Sequence, residues 1–343
     1  MITTAQSGAI LSVTPSSLLV SLVETLDALP ELFCSPCRGQ RGRPRIYDNT
    51  LFLKALVIMV VRRLTSPNEL WHVLHQPTPE MTTLRSLLTC QGRFPCRRTW
   101  ERRLALLPDT LPAQIAVLGR ALVEKLDPFA DSGRAVALDS TLLRAFGGFV
   151  WHKKDKQQGV VPHSGIDIQA GWTKSGHHGW VYGWKLHLGV SCGEVWIPLT
   201  ARLTCANCAD NEVALALVDE LPFQVRFVLG DTHYNASNVR ERCSLGGQTL
   251  VASGYGAYPR PQDALNSKEV RSLFHKLRSI TIENFNQQFK TLFDAHRPVP
   301  TKGYARTKNW GLGAVMTYQL LLFHRWKHNL PLRTGLKYSL KAT

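Results

Sequence analysis

The sequence predicts an α/β protein: a mixed β-sheet flanked by helices, preceded by a helical N-terminal region. Three observations point there. Up to about residue 130 the apolar residues recur mainly at helical spacing. From Arg134 the pattern changes to short apolar or alternating runs. Those runs come in the order strand, hairpin, helix, strand, helix, strand, helix, for which a mixed sheet covered by helices is the natural architecture.

The 343 residues make room for one large domain or two ordinary ones, and 44% apolar content suffices for a core. A net charge of +16 implies a polyanionic partner, nucleic acid before an acidic membrane surface. Residues 295–343 carry nine Lys or Arg and no acid. That segment is either solvated or packed on a domain with its charge shown to a phosphate backbone. "MITTAQSGAI" lacks the basic and apolar blocks of a signal peptide, and no run of about 18 apolar residues occurs. The expectation is a cytoplasmic protein with no membrane partner. Eight cysteines are then reduced thiols. Two C-x-x-C pairs, Cys34/Cys37 and Cys205/Cys208, leave zinc and free thiols as alternatives.

Residues 15–33 have helical apolar spacing and form an N-terminal helical arm over 1–40. "CRGQRGRPRIYDNT" cannot be a regular helix. Its Arg41, Arg43 and Arg45 either line an arm narrow enough for an A·T-rich minor groove or belong to a charged linker. "TLFLKALVIMVVRRL" (50–64) reads as a buried helix. Ser66, Pro67 and Glu69 then mark a helix start with a cap, a proline at the first position and a glutamate three residues after the cap. "FPCRRTWERRLALL" sets Arg97, Arg98, Arg102 and Arg103 around a helix with an apolar far side. It is either the DNA-facing helix of a helix-turn-helix-like region spanning 41–130 or a solvated basic face.

"RAVALDS" is a short apolar strand ending at Asp139. "WVYGWKLHLGV" alternates, with Lys185 and His187 on its polar face, and returns through Cys192-Gly193-Glu194 into "VWIPLTARLT", a hairpin. "ADNEVALALVDEL" is a helix with Asp210 or Asn211 near its cap. "VRFVLGD" is a strand, "NASNVRERCS" a helix and "QTLVASG" a strand. The helical stretch 268–293 and the apolar helix "WGLGAVMTYQLLLFHRW" follow.

Two strands deliver an aspartate to their ends, Asp139 and Asp231, although strand interiors disfavour aspartate. If they are neighbours, both carboxylates meet at one spot, which is unfavourable without a cation between them. A hard ion such as Mg²⁺ suits such oxygen ligands. In the long helix Glu283, Asn286 and Lys290 form a stripe beside the apolar Ile282, Phe285, Phe289, Leu292 and Phe293. Taken alone, Glu283 and Lys290 fit a surface ion pair. With the two strand-end aspartates they fit a third ligand and a phosphate-holding lysine. Asp155, Asp167, Asp210 and Glu212 are rival acids; Asp155 reads as a solvated loop residue and Asp210 as a helix cap.

The ordered motifs "ALDSTLLRA", "VYGWKLHLGV", "PLTARLTCANCADN", "FVLGDTHYN" and "ITIENFNQQFK" resemble the DDE transposases of bacterial insertion sequences, especially families four and five. The resemblance covers roughly residues 134–328, with a basic tail at 329–343. It implies a ribonuclease-H-like catalytic domain whose acids are Asp139, Asp231 and Glu283, with Lys290 at the family's spacing after the glutamate. It implies two Mg²⁺ ions, for which Mn²⁺ substitutes. The implied activity is cleavage and transfer of DNA strands at the terminal inverted repeats of the element, and the implied assembly is at least a homodimer at the nucleoid. The alternatives are a domesticated relative that binds DNA without cutting and a nuclease of the same fold that does not join strands. Two departures stand out. The family arginine expected at 279 is replaced by Ser279, with Arg278 one residue off, and His233 stands where glycine is common. His233 reads as a turn residue or a DNA contact.

Overall fold

The computed structural model describes residues 17–29, 46–126, 133–147, 165–176, 179–252 and 268–342, together with Lys154, Gln157 and Gln158. Helices come first: α1 (Leu18–Thr25), α2 (Asn49–Val61), α3 (Pro67–Leu74), α4 (Pro79–Leu87), α5 (Arg97–Leu104) and α6 (Leu111–Leu126). Every side chain of α2 from Leu51 to Ile58 is buried, Lys54 included. Lys54 reaches out of that apolar surface to Asp27, 2.6 Å away, and to the Leu87 carbonyl, so one cation ties α1 and the end of α4 to α2. The expected start of α3 is present. Ser66 accepts from the Glu69 amide, and the Glu69 carboxylate turns back to the Thr65 amide and hydroxyl. Helix α4 was not legible in advance, because its "PEMTTLRSL" buries only Met81 and Leu84.

The sheet holds β1 (Ala135–Arg144), β2 (Gly171–Ser175), β3 (Gly179–Ser191), β4 (Pro198–Cys205), β5 (Phe227–Gly230) and β6 (Thr249–Ala252). Its order is β2-β3-β1-β5-β6, with β4 also pairing with β3. Strands β1, β3 and β4 are antiparallel, whereas β1, β5 and β6 run parallel. The sheet is therefore mixed, as expected. Strand β2 went unread because five residues with a lysine and two hydroxyls carry almost no apolar alternation. Strand β1 does not end at Asp139. Thr141, Leu142 and Leu143 continue the ladder against Leu186, Lys185 and Trp184, so the strand runs on to Arg144.

The helices α7 (Asp210–Asp219) and α8 (Ser237–Leu245) pack against each other beside the sheet. Helices α9 (Lys268–Leu292) and α10 (Tyr304–Lys327) cover the face that carries Asp139, Leu143, Leu186 and Leu203. Helix α10 is buried from Trp310 to His324, on all sides. It touches the sheet at Gly311, where an added Cβ would meet Leu203 at 3.2 Å. It touches α2 at Gly313, where an added Cβ would meet Leu56 at 2.9 Å. The same helix thus packs between the sheet and α2 within one continuous core. Among the described residues, no helix is long and apolar enough to cross a membrane.

Candidate active site

The parallel pairing of β1 with β5 sets the level of the two aspartates. Val136 faces Val228 and Ala137 faces Leu229, after which β5 ends at Gly230. Asp139 lies two residues beyond the last pair and Asp231 two residues beyond Leu229, so both occupy the opening left where β5 stops. The side chain of Asp139 points to the α9 face because its strand neighbours alternate about it. This is how an acid in mid-strand becomes accessible: its neighbouring strand has ended.

Asp231 is oriented by the backbone that follows it. Its Oδ1 accepts the His233 amide at 2.8 Å, capping a 3₁₀ turn over Thr232–Tyr234. That leaves Oδ2 for the site. The turn folds Tyr234 back under the strand end, where an added Cβ on Gly230 would stand 2.6 Å from the Tyr234 Cβ. Gly230 is not required for a left-handed turn; its φ is negative. It is required for room. Tyr234 is buried, and its hydroxyl has no hydrogen-bond partner among the described residues. Burial, followed by the nearby Asp139, Asp210 and Asp231, pushes that hydroxyl well above the usual phenol range. The His233 side chain is exposed, and its contribution to the site is through its amide.

Helix α9 supplies the other wall. Arg278 is buried, and its Nη2 lies 3.8 Å from Asp139 Oδ1 and 3.5 Å from Asp231 Oδ2. Asn286 donates from Nδ2 to Asp139 Oδ2 at 3.2 Å. Lys290 is half-buried; burial lowers its pKa and the attraction of Asp139 opposes that shift. Burial pushes the Asp139 carboxyl up to about 6 against the pull of Arg278. Two carboxylate oxygens therefore converge on one positive atom, a donor set that fits a hard cation. Glu283 is exposed on the solvent side of α9, and among the described residues no three acid, His or Cys side chains gather closely enough to hold an ion. Of the sequence-predicted residues, Asp139, Asp231, Arg278 and Lys290 are brought together; Glu283 is beside the group.

A second cluster lies on the opposite face of the sheet, and the sequence did not disclose it. Asp210 is not the cap of α7; Ala209 is, and Asp210 is the first helical residue. Its Oδ2 lies 3.2 Å from Lys185 Nζ and its Oδ1 3.3 Å from His187 Nδ1. His187 is fully buried and its Nε2 meets the Thr204 hydroxyl at 2.8 Å. Burial works to raise the Asp210 carboxyl. Interactions with His187, Lys185 and Ser140 outweigh it and hold the group at about 2. Lys185 and His187 were legible as one face of an alternating strand, but only the docking of α7 makes that face interior.

The remaining candidates are spread more widely. On α5 Arg97, Arg98 and Arg102 are exposed, while Trp100 and Leu104 are buried. Arg97 is paired with Glu101 and bonded to Asn68. Arg103 is not on the open face: its guanidinium lies over the Phe52 ring at 4.3 Å and bonds Asn49. Asp167 is buried and accepts the Gly303 and Gln169 amides, a structural staple. Cys205 donates its thiol to the Gln169 carbonyl. Arg41, Arg43, Arg45, Asp155 and the Cys34/Cys37 pair lie outside the described residues.

Comparison with known proteins gives one family. The model of the transposase DDE domain matches residues 131–320, more than half of the chain and all of the sheet. No curated protein matches. Among solved structures, a piggyBac transposase synaptic complex with hairpin DNA aligns over 94% of this chain and 76% of that chain, at 10% identity and a TM-score of 0.36. The matched stretch contains Asp139, Asp231 and all of α9, and on it the chain belongs to the transposase DDE-domain family.

Proposed function

We propose that this chain is a DNA transposase with a ribonuclease-H-like core, cutting and joining DNA strands at the inverted repeats of its own insertion sequence. The observation that carries the reading is the convergence of Asp139 and Asp231 on one positive atom at the end of β5. Asp139, Asp231 and Glu283 would hold two Mg²⁺ ions, or Mn²⁺ in their place. Such ions would supply charge stabilisation to the attacking and leaving oxygens of a phosphoryl transfer.

The chain's own groups have separate tasks. Asn286 fixes one oxygen of Asp139, and the His233 amide fixes one oxygen of Asp231, so each carboxylate presents its other oxygen to the site. Lys290 brings a point charge to the same wall for a phosphate. Glu283 projects about 60° around α9 from Asn286, which touches Asp139. The exposed arginines Arg97, Arg98 and Arg102, with Arg41, Arg43 and Arg45, carry the DNA away from the cut. Two element ends require at least a homodimer, and a bacterial nucleoid is the expected setting.

The test is cleavage of a duplex carrying the element's terminal repeat. Asp231→Ala is expected to abolish Mg²⁺-dependent cutting while DNA binding persists; cutting that survives removes Asp231 from the site. Strand nicking without joining by the wild-type protein would favour the nuclease alternative, and binding without either would favour the non-cutting relative.

A further inference from the structure

Helix α9 turns Arg278 and Glu283 in different directions. Five residues apart at 3.6 per turn, they project about 140° from each other. Arg278 shares its side of the helix with Ile282, Phe285 and Phe289, each fully buried. Ser279, one residue on, projects within about 40° of Glu283 and about 20° of Lys290. An arginine at 279 would share the stripe of Glu283 and Lys290. At 278 it faces the sheet.

A guanidinium among Ile and Phe side chains is costly unless its charge is compensated. Here the compensation is Asp139 and Asp231. The fit is loose: 3.8 and 3.5 Å are ion-pair separations longer than charge-assisted hydrogen bonds, and Nε has no acceptor among the described residues. Arginine–carboxylate pairs are frequently held by two short parallel bonds. This arginine sits at the focus of two carboxylates without being locked to either. A guanidinium and a divalent ion would claim the same oxygens, Asp139 Oδ1 and Asp231 Oδ2.

We propose that Arg278 is a positioning residue that holds Asp139 and Asp231 at one focus before an ion arrives and gives way when an ion binds. The proposal rests on the reading of those aspartates as ion ligands. It explains why two acids on adjacent strands remain together without mutual repulsion forcing them apart. It also makes the ion compete with an internal cation, so ion binding in the absence of DNA is weaker than the two carboxylates alone would give.

The experiment is calorimetric titration of Mn²⁺ into the full-length protein without DNA. Arg278→Gln is expected to bind Mn²⁺ roughly tenfold more tightly than wild type, as loss of a nearby like charge predicts. Arg278→Lys, which keeps the charge, should stay near wild type. Asp231→Asn should lose binding in either background. Unchanged or weaker binding by Arg278→Gln, with binding still lost in Asp231→Asn, overturns the displacement and leaves the ion site standing. Binding that ignores Asp231→Asn overturns the ion site, and the proposal with it. If Arg278→Gln does not fold, the side-chain ¹⁵Nε resonance of Arg278 in the wild-type protein is followed through an Mg²⁺ titration. It should move with the midpoint of binding, and an unmoved resonance overturns the proposal.

Discussion

Gly230 and Tyr234 are packed so closely that the smallest side chain on Gly230 would stand 2.6 Å from the Tyr234 Cβ. The contact lies between the last residue of β5 and the turn that aims Asp231. Gly230→Ala should therefore push the turn away from the strand end. The expected loss is about 1–3 kcal/mol of stability, as for other overpacked sites. Cleavage should fall much further, because Asp231 moves with the turn. Urea unfolding and a cleavage assay on the same preparation check this; wild-type cleavage in a destabilised variant would show that the turn does not aim the acid.

Asp139 makes stability depend on pH. Its carboxyl is raised from 3.8 to about 6 in the folded chain, so the native state holds this proton more tightly than the unfolded one. The stabilisation is fully present below about pH 4 and is lost as the pH rises through 6. Removing the charge should therefore help at neutral pH. Asp139→Asn is expected to be about 1–3 kcal/mol more stable than wild type at pH 7.5 in chelator, and equal to it at pH 4. Thermal melts at the two pH values test the sign. A variant no more stable at pH 7.5 would mean that the fold already compensates the charge.

Asp210 has the opposite dependence. Its carboxyl falls from 3.8 to about 2, so its contribution is present above pH 4 and is lost as the pH falls towards 2. Asp210→Asn should cost about 2 kcal/mol at pH 7, with the gap to wild type closing in acid. Lys185 and His187, each within 3.3 Å of this carboxylate, would be left facing a neutral amide. Guanidinium chloride unfolding at pH 7 and pH 2.5 measures both ends; a gap that stays constant would assign the cost to packing instead of charge.

The arginines of α5 should separate into two kinds. Arg98→Ala combined with Arg102→Ala removes two exposed charges and should weaken binding to any duplex. The logarithmic salt slope should fall by about 1–2 and the melting temperature should hold. Arg103→Ala removes the guanidinium from above Phe52 and its bond to Asn49. It should lower stability by about 1–2 kcal/mol. Filter-binding isotherms at several salt concentrations distinguish them. An unchanged slope in the double variant would take this face out of the DNA interface.

Two acids of the candidate site were legible because strand interiors disfavour aspartate, so an acid beside an apolar run stands out. Asp139 and Asp231 were readable on that ground, and their adjacency followed once β1 and β5 paired in parallel. The extent of β1 was not, since its second half is stabilised by β3 and not by its own pattern. The direction of Arg278 was hidden for a related cause. A shift of one residue on a helix changes direction by about 100°, and which direction is inward is set by what α9 packs against. The Asp210 cluster was hidden because Lys185 and His187 look like a wet strand face until α7 closes over them.

The burial of α10 on all sides has a consequence for anyone wishing to exchange parts of this protein. Its turns at Gly311 and Gly313 complete the sheet on one side and α2 on the other, so the two parts share a single wall. A graft that exchanged residues 49–126 for another helical unit would leave Gly313 and its neighbours facing a foreign surface. A working chimera must therefore carry a matching version of residues 304–327 with the new helices, although those residues come almost two hundred positions later in the chain.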